Sequence, residues 1–311
     1  MTSSLFALAV IAQLVSNARP LECTATEGPH AGNVWERAKT PALRKYCDLL
    51  ASGASKLAAS ATMAYEVLGI ADEADRMVPG HTAPAVLRGR AYAKLGRWLE
   101  AYNALNTARI RDPRALDDAV ALLAWARVAV RAGHPDDGHA AYRMLLPRAT
   151  LLPLAERGPA YVEAGFLAMW RGPGGLDEAI SIFRQARRDA QDTPQAVAIL
   201  GLALALDRLG ARDEARAVLL ERPLANPWPT LSDARARQLL TPPVSEGETE
   251  ALAAIALEAS DPAKARLSWQ KYADTSPGAP WVAHARARAH GGNAAGALGP
   301  KRAEKAARSQ P

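Results

Sequence analysis

Aromatic side chains are scarce, at 5 % of the 311 residues. Strict apolar/polar alternation is nearly absent. So are the β-branched, aromatic-rich runs that read as strands. Chemistry is thin as well. No zinc-protease pair of histidines shares a helix, and no nucleophile elbow is present. The run "GPGG" at 172–175 is followed by no Lys-Ser/Thr, which excludes a phosphate loop. The six histidines are scattered. His134 and His139 flank "PDDG", a loose His/Asp cluster that reads as a solvated turn rather than a metal site. No enzyme activity and no cofactor are expected.

What is abundant is alanine, the best helix former and small enough for helices to approach closely. The prediction is an all-α chain. Trp98, Trp125, Trp170 and Trp269 read as packing residues.

The first residues stand apart. An apolar run from Leu5 to Val15, interrupted by Gln13, is followed by Ser16-Asn17-Ala18. Small residues three and one before a cut predict a signal peptide over 1–18, hence a periplasmic or secreted protein. The run is short for a membrane span. Its n-region has no Lys or Arg, so an apolar tail on a cytoplasmic protein is the other reading. Cysteine is nearly absent too. The two present, Cys23 and Cys47, both follow the expected cut. An even pair in an exported chain is a candidate disulfide; two separate thiols are the alternative.

The net charge of +6 is unevenly placed. From Trp281 onward six cations (Arg286, Arg288, Lys301, Arg302, Lys305 and Arg308) face Glu304 alone. Residues 291–311 lack an apolar face and read as a disordered basic tail. The tail is either simply solvated or in contact with an anionic envelope surface. The remainder is close to neutral, so no nucleic-acid partner is expected.

Two phrases echo each other: "LGRWLEAYNALNTARIRDP" from Leu95 and "LGARDEARAVLLERPLANP" from Leu209. Aligned with three further segments they give a small column, Ala101, Gly138, Ala179, Ala215 and Ala265. Four residues later stands a bulky column, Leu105, Tyr142, Phe183, Leu219 and Trp269. Twelve residues before the small column are Gly89, Ala126, Ala203 and Ala253, and Gly165 if the third turn is two residues longer. Antiparallel helices pack closely where small side chains face each other, and a bulky residue one turn on fills the space beyond. Gly96, Gly133 and Gly210 suit the turns. Pro113, Pro227 and Pro277 end second helices.

These residues resemble the tetratricopeptide repeat, a helix–turn–helix unit of about 34 residues. The first unit carries Gly89, Tyr92, Gly96, Ala101, Leu105, Ala108 and Pro113 at the family's positions. The fourth carries Gly210, Ala215, Leu219 and Pro227, and the fifth Ala253, Ala265, Trp269, Tyr272 and Pro277. The resemblance implies a helical-hairpin repeat array, a right-handed solenoid of about five repeats plus flanking helices. The predicted organisation is an irregular segment over 19–39, a helix pair or cap over 40–79, repeats 1–4 over 83–227, a Pro-rich insertion with one short helix over 228–249, and a fifth repeat with terminal helix over 250–290. Thr40-Pro41 reads as an N-cap with Pro at the first helical position. The insertion leaves open whether the fifth unit stacks on the fourth.

The resemblance further implies that the first helix of each pair lines a concave peptide groove. Its exposed positions map onto Val86, Arg90, Ala93 and Lys94, onto Leu123, Arg127, Val130 and Arg131, and onto Leu200, Leu204, Asp207 and Arg208. In the third unit they map onto Val162, Phe166, Met169 and Trp170. The candidate groove residues are therefore Arg90, Lys94, Arg127, Arg131, Phe166, Trp170 and Arg208. Arg90/Lys94 and Arg127/Arg131 are i,i+4 pairs, each on one helix face. Such a wall suits a protein or peptide partner with an acidic segment; a solvated basic face is the alternative. The resulting expectation is a non-catalytic scaffold or adaptor, or else an assembly component of an envelope complex acting through tail and convex surface.

Overall fold

The computed structural model describes Pro20, Cys23 and residues 41–221, 227–240 and 247–291. The expected signal peptide, nearly all of the 19–39 segment, the expected Thr40 cap and the tail from 292 lie outside the described residues. Those residues form fifteen α-helices and, among them, no strand. The chain divides into two compact units, one ending at Pro153 and the other beginning at Leu154. Each is described by itself.

Unit 1 holds three antiparallel pairs. They are α1 (Pro41–Ala59) with α2 (Ala64–Met77), α3 (Ala83–Lys94) with α4 (Trp98–Arg111), and α5 (Ala119–Arg131) with α6 (Pro135–Leu145). The first helices also pack on one another, α1 on α3 and α3 on α5. Local sequence explains the ends. Asp118 caps α5 by accepting from the Ala121 N–H, satisfying a donor the helix leaves open. Gly96 and Gly133 turn each pair with φ of 72° and 87°, a region that L side chains avoid.

The small and bulky columns meet as the sequence predicts. A Cβ on Gly89 of α3 would lie 2.5 Å from Leu105 Cγ and 3.2 Å from the Ala101 carbonyl of α4. Only glycine allows this approach. Ala101, Leu105 and Ala108 are fully buried. Cys23 and Cys47 are disulfide-bonded, with Cα atoms 5.7 Å apart. The bridge brings Cys23 into an apolar core of Tyr46, Leu50 and Leu57 from α1, Val67 and Ala71 from α2, and Leu87 and Ala91 from α3.

Unit 2 begins with α7 (Leu154–Trp170) and α8 (Leu176–Asp189), then α9 (Asp192–Leu209) and α10 (Arg212–Glu221). Here α7 packs on α8, α8 on α9, and α7 on α9. The third-unit register resolves at one ring. Phe183 lies against Gly165, where a Cβ would approach to 2.7 Å, and against Gly201 of the next pair, at 2.6 Å. One aromatic ring thus sets both the hairpin and its stacking on the following one. On the outer side Arg187 reaches Glu221 at 2.7 Å and Arg184 reaches Glu214 at 3.4 Å, joining α8 to α10.

The insertion forms two short helices, α11 (Trp228–Leu231) and α12 (Ala234–Leu239), where one was expected. Asp233 separates them. Its carboxylate accepts from the Arg235 N–H and starts α12 afresh. After them α13 (Glu248–Leu257) and α14 (Pro262–Thr275) form the fifth pair, and α15 (Val282–Ala289) packs on α14. The fifth pair does stack on the fourth, because α13 packs directly on α9.

Candidate functional site

In unit 1 the first helices α3 and α5 lie side by side and carry four of the predicted groove cations. Lys94 is exposed in the last turn of α3, while Arg90, Arg127 and Arg131 are half-buried. Burial pulls the Arg90 guanidinium below its ordinary value, and the nearby Asp118 carboxylate partly offsets this. Arg131 is held over Trp98, its guanidinium carbon 4.9 Å from the ring centroid, a cation–π contact. Between them Val86, Ala93 and Val130 are half-buried, and Leu123 is buried. The face is therefore cationic groups set on an apolar floor.

Behind this face sits a lock that sequence reasoning did not assemble. Tyr102 of α4 stacks on Trp125 of α5 at 5.0 Å and on His134 at 4.0 Å. Its hydroxyl donates to Asp137 Oδ2 at 2.8 Å. Partial burial raises the Tyr102 phenol, and the bond to Asp137 raises it further. These contacts fix α5 against the preceding hairpin and so fix the spacing of the two cation pairs. The only sequence signal was "HPDDG" placed one repeat after Tyr102.

Unit 2 is different, and two of the predicted groove residues need correction. Phe166 is 1 % exposed. It meets Phe183 edge-on at 5.0 Å and belongs to the core. Arg208 is also 1 % exposed and forms a forked pair with Glu248, 3.1 Å between Nη2 and Oε2. Its guanidinium lies 5.0 Å from the Trp281 ring and 5.7 Å from Tyr272. The other mapped positions, Val162, Met169, Leu200, Leu204 and Asp207, are buried too. Trp170 alone stays half-buried. It faces an open cleft of about 450 Å³ shared with Thr275, Ser276, Pro277, Gly278, Ala279 and Pro280.

The cause is the chain after the fourth pair. α9 is buried without a break from Ala196 to Arg208, as a helix covered on every side must be. At its C-terminal end a buried ionic group ties α9 to the last helices. His284 Nε2 lies 2.8 Å from Asp207 Oδ2, and Arg288 and Arg212 approach Oδ1 at 3.5 and 3.7 Å. Arg288 also pairs with Glu258. Burial alone would raise the Asp207 carboxyl. The His284 hydrogen bond and the charges of His284, Arg288 and Arg212 outweigh it and hold the group below its ordinary value. Among the described residues no cluster of three His, Cys, Asp or Glu side chains is placed to hold a metal. None of their helices is long and apolar enough to cross a membrane.

No family model matches the chain, and no curated protein matches it. Solved structures do. One is a tetratricopeptide repeat protein from Parabacteroides merdae, with 15 % identity, a TM-score of 0.39, and 93 % of this chain and 96 % of that one covered. Another is the APC/C hetero-tetramer Cut9-Hcn1, with 16 % identity and a TM-score of 0.39. In that comparison 80 % of this chain matches 48 % of the other, so the likeness spans about half of its length. Within each unit the fold is a stack of helical hairpins, and this rests on the chain's own packing: Gly89 under Leu105, Gly165 under Phe183, and successive first helices packed together.

Proposed function

We propose that the protein is a non-catalytic interaction adaptor that holds an acidic segment of a partner protein on the α3–α5 face of unit 1. One observation carries this reading. Arg90, Lys94, Arg127 and Arg131 sit at i,i+4 spacing on two first helices that pack together, none of them fully buried, while the matching positions of unit 2 are nearly all buried by the chain itself. Half-burial of the arginines supports recognition, since charges set in apolar surroundings attract more strongly than fully solvated ones. Arginine also suits carboxylates, which it can engage through two parallel hydrogen bonds. The mechanism is preorganised shape and charge. Secretion or a periplasmic location belongs to the same proposal, supported by the apolar run from Leu5 to Val15 and by the Cys23–Cys47 bond. The basic tail would add peripheral contact with an anionic envelope surface.

The test is binding of a fluorescent glutamate-rich peptide by anisotropy. The wild-type chain should bind with an affinity that falls as salt rises. Arg127→Glu with Arg131→Glu should weaken it about ten-fold or more at unchanged helicity. Equal binding by that folded variant overturns the reading.

A second reading has its own observation. Leu99 and Ile110 of α4, Met144 of α6, Leu220 of α10 and Leu267 of α14 are exposed large apolar residues on second helices. They suit an assembly component that packs through its outer surface. Replacing Leu99 and Ile110 by serine would then dissociate the assembly while peptide binding survives.

A further inference from the structure

In unit 2 the short helices α11 and α12 pack on first helices. In a hairpin array a first helix is flanked by its own second helix, by the preceding second helix, and by the first helices on either side. For α9 these neighbours are α10, α8, α7 and α13. One face remains, the one that would line a groove. On α9 that face reads Leu200 and Leu204, where α5 carries Leu123 and Arg127; the next position, Arg208, is taken up by Glu248 of α13. The change from Arg127 to Leu204 makes the unit 2 face apolar where the unit 1 face is cationic. Such a face left in water is unfavourable.

The chain covers it with a segment of peptide-like character. α12 packs on α7 and α9, and α11 packs on α9 and α13. These main partners, α11 and α12 themselves aside, are all first helices. The segment buries Leu231, Ala236 and Leu239 on one side and leaves Trp228, Arg235 and Arg237 exposed on the other. That is the pattern of a short amphipathic helix lying in an apolar groove.

We propose that residues 227–240 are a tethered pseudo-ligand, and that the apolar face of α7 and α9 is a second peptide-binding surface held occupied in cis. The ligand it fits is a short amphipathic helix with a small-and-leucine face, unlike the acidic segment assigned to unit 1. The inference rests on the preceding reading only in treating first-helix faces as binding surfaces. A tether keeps the occupant at an effective concentration on the order of millimolar, so an occupant with an intrinsic dissociation constant on the order of 10 μM suppresses a free copy on the order of 100-fold.

The test uses the full chain and the synthetic peptide PWPTLSDARARQLL. In one variant residues 227–240 are replaced by a Gly/Ser linker of equal length. Expected is saturable binding of the peptide to the linker variant, on the order of 100-fold tighter than to the wild-type chain, and none of a peptide with both Leu231 and Leu239 changed to Asp. If the linker variant fails to fold, Leu231→Ala with Leu239→Ala in the intact chain decides, since a weakened tethered segment must still admit the peptide. A folded variant that ignores the peptide, or a wild-type chain that binds it equally well, overturns the inference. Because Arg127→Glu with Arg131→Glu lies in unit 1, it should leave this binding unchanged, which separates the two failures.

Discussion

His284 of α15 meets Asp207 of α9 at 2.8 Å, 77 residues apart in sequence and both almost fully buried. This contact clamps the terminal helix to the fourth hairpin. Arg288 and Arg212 add charge without closing hydrogen bonds to Asp207 Oδ1, which accepts none. Removing the carboxylate strands buried positive charge. Asp207→Asn should destabilise unit 2 by about 3 kcal/mol, as single-partner removals from buried ion pairs do, read from urea unfolding at neutral pH.

The same group makes stability depend on acid. The folded Asp207 carboxyl sits below its unfolded value, which is about 3.9. Between the two values the unfolded chain binds more protons than the folded one, so stability rises with pH there. The Asp207 contribution is therefore complete above about pH 4 to 5 and is lost as pH falls through the folded value. Unfolding curves of wild type and Asp207→Asn should converge as pH drops below about 4. A gap that stays constant down to acid denaturation would show that the carboxylate is not linked to folding.

Arg208 and Glu248 offer a different test, because each neutralises the other away from water. Glu248→Gln leaves the Arg208 guanidinium buried without its counter-ion and should destabilise by about 3 kcal/mol. Replacing both together, Arg208→Met with Glu248→Leu, removes the unpaired charge and should recover most of that loss. A double-mutant cycle in urea supplies the comparison. Strict additivity would mean that the pair does not hold α13 to α9.

How much of this was legible in sequence depends on distance along the chain. The columns from Gly89 to Leu105 and from Gly165 to Phe183 connect partners within one hairpin, and their spacing was readable. The buried ionic group draws on Glu248 and His284, beyond the insertion, so no local pattern flagged Asp207 and Arg208 as interior. One signal was present and unused. The stretch "AVAILGLALAL" in α9 is apolar on every face, the mark of a helix covered all round. Read that way, it excludes an open groove on the fourth unit and corrects the placement of Arg208. Gly201 lies in the same stretch, but its role against Phe183 needed the next hairpin in place.

That contact makes a sharp packing prediction. A Cβ on Gly165 or Gly201 would come within 2.7 or 2.6 Å of the Phe183 ring. Either Gly→Ala change overpacks the core and should destabilise by about 1–3 kcal/mol. Phe183→Leu is destabilising alone through lost volume, yet it makes room for the added methyl. The combination Gly201→Ala with Phe183→Leu should therefore be less damaging than the two single effects added.

The Cys23–Cys47 bond closes a loop across 24 residues. Loop-closure entropy for that length predicts about 3 kcal/mol of stabilisation from restricting the unfolded chain. Reduction, or Cys23→Ser with Cys47→Ser, should lower the midpoint of unit 1, and the effect should centre on α1 because Cys23 packs beside Tyr46 and Leu50. Hydrogen exchange resolves the location. Faster exchange in α1 and α2, with α9 unchanged, is expected, since the bonded core comprises α1, α2 and α3 and lies wholly within unit 1. If exchange in α1 is the same in the reduced chain, the bridge adds nothing that Tyr46, Leu50 and Leu57 do not already supply by burial. The outcome also bears on compartment. A chain that needs this bond to keep α1 folded would be unstable in a reducing cytoplasm, so a large effect in α1 supports export and a negligible one removes the disulfide as a reason for it.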